Sequence, residues 1–343
     1  MPSPAANRRG ILGMLAAMTL FTINDALLKL ASATHPPGQI MAVRGVFAAL
    51  LTVAVIVAAK QLVHARLILS PLVLLRSCLE AVIAFLFITS VAMLPLANIT
   101  AILQATPIIM TLMAVVMGIE TVGWRRWSAI VVGFAGVLLI AKPGLAGFDA
   151  YAVLALLAAV LVAFRDFVTR AIGRHVPSVV ITLSTTIGVC LAGFLLGLAE
   201  DWRPLASADL GLLAAAAALV TTGNVAVVIA FRGTEVAVVS PFRYSGVPLA
   251  IVLGLAVFGD VPDLVASAGI VLVVASGLYT IHRERVRQRE AAARLRPLDE
   301  PETARSGASF IAPSTSWRPP CRDWRVRWRR ITPRSSSRSP CIS

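Results

Sequence analysis

Along this chain, apolar stretches of about twenty residues alternate with short connections that carry charge, proline or glycine. A helix needs about 20 consecutive apolar residues to cross a bilayer. The pattern therefore predicts ten transmembrane helices, near 10–31, 38–60, 70–92, 97–118, 125–141, 150–170, 178–199, 210–231, 236–258 and 263–281. Composition agrees: 58% of the 343 residues are hydrophobic and 14% charged, with a mean hydropathy of +0.84, outside the range of soluble domains. The expected fold class is an all-α polytopic membrane protein with no room in its connections for a soluble domain.

The positions of Lys and Arg orient these spans, because basic residues in short loops favour the cytoplasmic side. Arg8 and Arg9 precede the first span, Lys60 and Arg66 follow the second, and Arg125 and Arg126 follow the fourth. Arg170 and Arg174 follow the sixth, Arg232 the eighth, and Arg283, Arg285, Arg287 and Arg289 the tenth. The opposite loops hold only Lys142 and Arg203, the latter beside Glu200 and Asp201. Every second loop is basic, so both termini are expected in the cytoplasm. An N-terminal signal peptide is the competing reading of Arg8-Arg9 and the Ala31-Ser32-Ala33 run. Asn24, Asp25 and Lys29 interrupt that region and favour a retained helix.

Shifting the sequence by 141 positions superposes its least lipid-compatible residues without a gap: Asp25 on Asp166, Lys29 on Arg170, Pro36 on Pro177, Pro107 on Pro248, Gly118 on Gly259 and Gly136 on Gly277. Charged and helix-bending residues are scarce inside apolar segments, so a common offset among them points to an internal repeat. Five spans per unit is an odd number, which makes the two repeats inverted. The expected domains are a first five-helix repeat over 10–141, a second over 150–282, and a basic, disordered C-terminal tail over 283–343. Such an architecture places a solute site near the midplane where the halves meet.

Several polar residues lie deep in the spans and are the candidates for substrate binding or coupling. Asp25 and Lys29 are one helical turn apart and can neutralise each other, and Asp166 with Arg170 repeats the arrangement. The competing reading is a packing pair with its cation reaching out to the membrane surface. Arg76 and Glu80 are likewise four apart in the third span, where an isolated carboxylate would cost roughly 3 kcal/mol. Glu80 therefore needs a partner or a wet cavity. Arg44, Asn98, Gln104, Asn224, Arg243 and Tyr244 complete the set. Arg243 can bind an anionic solute group or neutralise Glu80 across the bundle. Glu80 and Asp25 are the carboxylates expected to carry a coupling proton. Pro107 and Pro248, near the centres of corresponding spans, each remove a backbone donor; they mark a binding region between broken helices or a packing kink.

The remaining features narrow the picture by what they lack. Cys78 and Cys190 fall inside spans as small apolar residues, Cys321 and Cys341 lie in the tail, and no spacing suggests a metal site. His35, His64, His175 and His282 sit at span ends or in loops, and no phosphate-binding Gly-x-x-x-x-Gly-Lys-Ser/Thr loop occurs. No cofactor is expected. The tail carries Trp317, Trp324 and Trp328 among arginines and contributes much of the net charge of +14. Contact with anionic lipid headgroups, nucleic-acid binding and a non-functional extension are the readings of that stretch; nothing else in the chain supports nucleic acid, and none is expected as a partner.

Two stretches carry a family resemblance. Asn98-Ile99-Thr100-Ala101-Ile102-Leu103-Gln104-Ala105-Thr106-Pro107 leads into Gly118-Ile119-Glu120, Trp124-Arg125-Arg126-Trp127 and Gly133-Phe134-Ala135-Gly136. This resembles the second half of an EamA domain of the drug/metabolite transporter superfamily. Ser240-Pro241-Phe242-Arg243-Tyr244, Pro248 and Phe258-Gly259-Asp260 resemble its second copy, with Asp260 where the family pattern carries a glutamate like Glu120. The resemblance covers about residues 10–283. Asn24-Asp25-Ala26-Leu27-Leu28-Lys29 is also similar to a bacterial subgroup that includes S-adenosylmethionine uptake transporters. The resemblance implies two five-helix repeats around a central cavity, Gly118, Glu120, Gly259 and Asp260 as motif residues, and secondary transport of a small-molecule metabolite by alternating access. The lipid bilayer, a coupling proton and a second copy in a homodimer are the other candidate partners. The alternatives are a non-transporting scaffold or sensor, and a membrane-embedded lipid-modifying enzyme, which would need clustered acid, base or metal ligands at one depth.

Overall fold

The computed structural model describes residues 4–58, 67–118, 123–141, 150–172, 176–231, 234 and 236–295, and among them there is no strand. The helices are α1 (Pro4–Ser32), α2 (Pro37–Ala58), α3 (Pro71–Met93), α4 (Leu96–Leu103), α5 (Thr106–Val116), α6 (Trp124–Ala141), α7 (Ala150–Ala171), α8 (Ser178–Gly197), α9 (Ser207–Phe231), α10 (Val236–Val239), α11 (Gly246–Leu253) and α12 (Leu264–Leu295). A 3-10 segment, Ser240–Ser245, joins α10 to α11, and a π-turn, Gly254–Phe258, follows α11.

Nine spans among the described residues are long and apolar enough to cross a membrane, and the chain is a multi-pass membrane protein. The apolar part of α6 is shorter, Trp127–Ala141, because the first turn is given to Trp124, Arg125 and Arg126. At the other end, α12 corrects the sequence-based boundary: it runs past residue 283 to Leu295. The stretch Arg283–Leu295 is rich in Arg, Glu, Gln and Ala, all good helix formers, and Pro297 is the first residue that would stop it. The Trp/Arg-rich tail lies outside the described residues.

Large apolar side chains face outward, as with Leu50, Val82, Val131, Leu195 and Val271. The interior mixes large side chains such as Met14, Ile40, Met41 and Ile88 with small residues at the helix crossings. Ala152, Ala155, Ala159 and Ala163 form one fully buried face of α7, at the i, i+3, i+4 spacing of a helix stripe. Lipid tails are as apolar as Leu, so helix association in a bilayer depends on close backbone approach rather than on apolar burial. The crossings show that approach. A Cβ added to Gly193 of α8 would lie 2.3 Å from the Ala42 nitrogen of α2, and one added to Gly136 of α6 would lie 2.8 Å from the Gly269 carbonyl of α12.

The helix pairings follow a pattern. The α1 helix packs on α9 and α3 on α7; α2 packs on α9 and α3 on α8; α1 packs on α11, and α4 and α5 on α7. The α2 helix also meets α8, and α4 meets α11. Gly118 and Gly259 both adopt left-handed backbone, with φ of 68° and 67°. No neighbouring atom comes within 4 Å of a Cβ built at either, so backbone conformation rather than space favours glycine there.

Candidate functional site

Two broken spans meet in the middle of the bundle. The first break lies between α4 and α5. Pro107 has no N–H for the Leu103 carbonyl four residues back, and the Thr106 hydroxyl donates to that carbonyl instead, at 2.6 Å. The second break is the 3-10 segment Ser240–Ser245 ahead of Pro248. The breaks are stitched to each other: Gln104 Nε2 donates to the Arg243 carbonyl at 2.7 Å, and the Tyr244 hydroxyl donates to the Gln104 carbonyl at 3.4 Å. Backbone acceptors left over by the interrupted ladders thus find partners inside the protein, as a low-dielectric setting demands.

Beside this junction lies a cavity of about 260 Å³, lined by α1, α3, α4, α9 and the 3-10 segment. Its polar wall is Thr22, Asn24, Asp25, Thr100, Gln104 and Arg243, and Met18, Phe21 and Phe87 supply apolar surface. Asn24 Nδ2 donates to Asp25 Oδ1 at 2.9 Å, and Asn24 Oδ1 accepts from Arg44 Nη1 at 3.3 Å. Asn24 therefore links the Asp25 carboxylate to the Arg44 cation. The Arg243 side chain is exposed, and no described carboxylate lies within ion-pair distance of it. Tyr244 is buried; a Cβ at Gly277 would fall 1.8 Å from its hydroxyl.

A second polar group joins α3 to α7. Arg165 bridges Glu80 at 2.9 Å and Asp166 at 2.7 Å, while Arg76 Nε donates to the Thr169 hydroxyl at 2.9 Å. The partner that Glu80 needs is Arg165, not Arg76 four residues away, and no bridge runs from Arg243 to Glu80. Arg165 is the residue that sequence reasoning missed. It was visible as a charge fifteen residues beyond Ala150 in an apolar run, but Asp166 was assigned to Arg170, whose side chain lies outside the description.

Lys29 also departs from expectation. Its ammonium pairs with the Asp260 carboxylate rather than with Asp25, donates to the Leu94 carbonyl at 2.8 Å, and lies 4.9 Å from the centroid of the Phe258 ring. Its side chain is only 12% exposed, so it does not reach out to the membrane surface. Local structure explains the partner. Left-handed Gly259 ends the π-turn, with Gly259 N–H bonded to Leu255 O at 3.1 Å and Asp260 N–H to Gly254 O at 3.0 Å. This helix-terminating geometry holds Asp260 at the end of the span. Glu120 lies outside the described residues.

Two candidates stand apart. Asn98 is buried in α4 with its side-chain oxygen unpartnered, and Asn224 sits on an exposed face of α9. A further cavity of about 490 Å³ lies by the α1–α2 connection, lined among others by His35, Tyr151, Glu200 and Arg203. Among the described residues no three His, Cys, Asp or Glu side chains gather into a metal-binding group.

A bundle of apolar helices with interrupted spans around an inward polar cavity is the architecture of a membrane transport protein. The EamA-like transporter family model matches residues 8–142, the first part of the chain. Among its relatives is a pseudopaline exporter of Pseudomonas aeruginosa, 26% identical over 77% of this chain and 92% of the relative. A riboflavin transporter of Rhizobium johnstonii is 27% identical over 64% of this chain and 72% of the relative. An S-adenosylmethionine uptake transporter of Rickettsia prowazekii is 23% identical over 56% and 65% respectively. A solved crystal structure with 18% sequence identity shares the fold, with a TM-score of 0.54 over 81% of this chain and 96% of the other.

Proposed function

We propose that this protein is a secondary transporter that moves a small polar metabolite across the bacterial inner membrane by alternating access between two inverted five-helix repeats, with both termini in the cytoplasm. The observation that carries the reading is the junction of two broken spans, Gln104 bonded to the Arg243 carbonyl, at a polar cavity inside an apolar bundle. The pairings support the two-fold arrangement. Exchanging α1, α2, α3 and the α4–α5 span with α7, α8, α9 and the α10–α11 span turns α1·α9 into α7·α3, α2·α9 into α8·α3 and α1·α11 into α7·α4 and α7·α5, all observed contacts, whereas α1·α3 and α2·α3 have no comparable counterpart among the described residues. It maps α2·α8 and α4·α11 onto themselves, and the left-handed glycines fall 141 positions apart. On this reading α6 is a fifth span that brings the nine to ten, peripheral with α12.

The cavity suits a solute with both an anionic and a cationic group. The Arg243 guanidinium is open to the first and the Asp25 carboxylate to the second, with the Phe21 and Phe87 rings beside them. Glu80 is held by Arg165, which leaves Asp25 as the better candidate for a coupling proton. The test is flux of a labelled metabolite panel into proteoliposomes of the full chain. Arg243→Gln and Asp25→Asn are each expected to cut flux about tenfold or more at normal insertion, the loss of one charged hydrogen bond of roughly 1.5–3 kcal/mol. A panel that includes zwitterions and gives no flux above empty vesicles would reject the reading. The family match and the names of the relatives place the chain with transporters rather than enzymes.

A further inference from the structure

Lys29 ties together three separate parts of the bundle. The Asp260 carboxylate and the Phe258 ring come from the end of the α11 span, the Leu94 carbonyl from the connection between α3 and α4, and the lysine itself from α1. The pair is no solvated surface bridge, since the side chains are 12% and 28% exposed. Any motion that carries the end of α11 away from α1 must break it, and an ammonium so enclosed needs a replacement carboxylate. One lies a turn away. Asp25 is four residues back on α1, about 6 Å along the axis, on the same face and within the arc of a flexible four-carbon side chain. One Asp25 oxygen accepts from Asn24, and the carboxylate lines the cavity.

We infer that Lys29 is a gate at the non-cytoplasmic end of this cavity, exchanging its partner between Asp260 when the gate is shut and Asp25 when it is open; the inference rests on the transport reading for its orientation. The exchange ties closure to occupancy. A cationic solute group on Asp25 removes the competing partner and leaves Lys29 to Asp260, so a filled cavity is closed on this side. An empty cavity frees Asp25 to draw Lys29 off. The π-turn and Gly259 carry Asp260 on the segment that would swing.

The test reads accessibility rather than flux. In intact cells the full chain carries Thr100→Cys as a reporter on the cavity wall, with Cys78, Cys190, Cys321 and Cys341 replaced by serine, and a membrane-impermeant maleimide is applied from outside. Asp260→Asn and Lys29→Gln should each speed labelling at least tenfold, and the exchanged pair Lys29→Asp with Asp260→Lys should return it toward the parent rate. Asp25→Asn, which removes the open-state partner, should slow labelling below the parent. Recovery in the exchanged pair shows that the fast labelling of the single variants is not unfolding. Labelling within twofold of the parent in Asp260→Asn, or fast labelling that the exchanged pair does not reverse, would overturn the gate. Flux with unchanged labelling would sink the gate alone. The labelling changes in a chain that moves no solute would sink the transport reading and leave the gate standing.

Discussion

Single charges inside the bundle are the costliest residues in this protein, and each one described in the helix interior has an identifiable environment. Arg165 serves two carboxylates at once, Glu80 and Asp166. Removing it strands both in a partly buried setting, so Arg165→Gln should destabilise the protein by about 3 kcal/mol, at the lower end for breaking a buried pair. The double variant with Glu80→Gln should recover part of that loss, because one stranded charge is gone. Unfolding in detergent, analysed as a double-mutant cycle, measures both. If the single variant is as stable as the parent, the cluster is no structural clasp between α3 and α7.

At the scale of elements, proline decides where the spans break. Pro107 stops α4 at Leu103 and lets α5 start at Thr106, and the freed carbonyl is rescued by a hydroxyl. Pro107→Ala restores the missing donor and lets the two helices fuse. The expected outcome is equal or higher thermal stability with flux reduced about tenfold, because the Gln104 link to Arg243 sits in the break. Thermal unfolding and proteoliposome flux on the same preparation separate the two effects. Unchanged flux in a fused helix would reduce the break to packing. The α12 extension teaches a related lesson. Hydropathy falls at Arg283, but helix propensity does not, so the end of the membrane segment and the end of the helix are different places.

At the scale of the whole molecule, alternate loops are basic, and this sets the expected orientation. Reporter fusions after Lys60, Arg126, Arg174 and Arg289 should all report cytoplasm, and fusions near Gly38, Gly147 and Asp201 the opposite side. A non-cytoplasmic signal after Arg289 would sink the ten-span reading and the inversion together. If the fusions report as expected, the Lys29–Asp260 pair lies at the outer end of the bundle and the Arg165 cluster toward the cytoplasm.

The apolar helical spans were legible in the chain itself, nine of them long enough to cross a membrane among the described residues, because transfer into lipid is a property that each residue carries by itself. The partners were not legible. Lys29 could have met Asp25 and Glu80 could have met Arg76, since both pairs are four apart on a helix. Tertiary structure gave Lys29 to Asp260, 231 positions away, and Glu80 to Arg165, 85 away. Partner choice depends on how each helix is rotated against its neighbours and how closely small residues let them approach, as Gly136 and Gly269 do. Hydropathy says that a buried charge needs a partner; only the packing of helices distant in sequence says which one it gets.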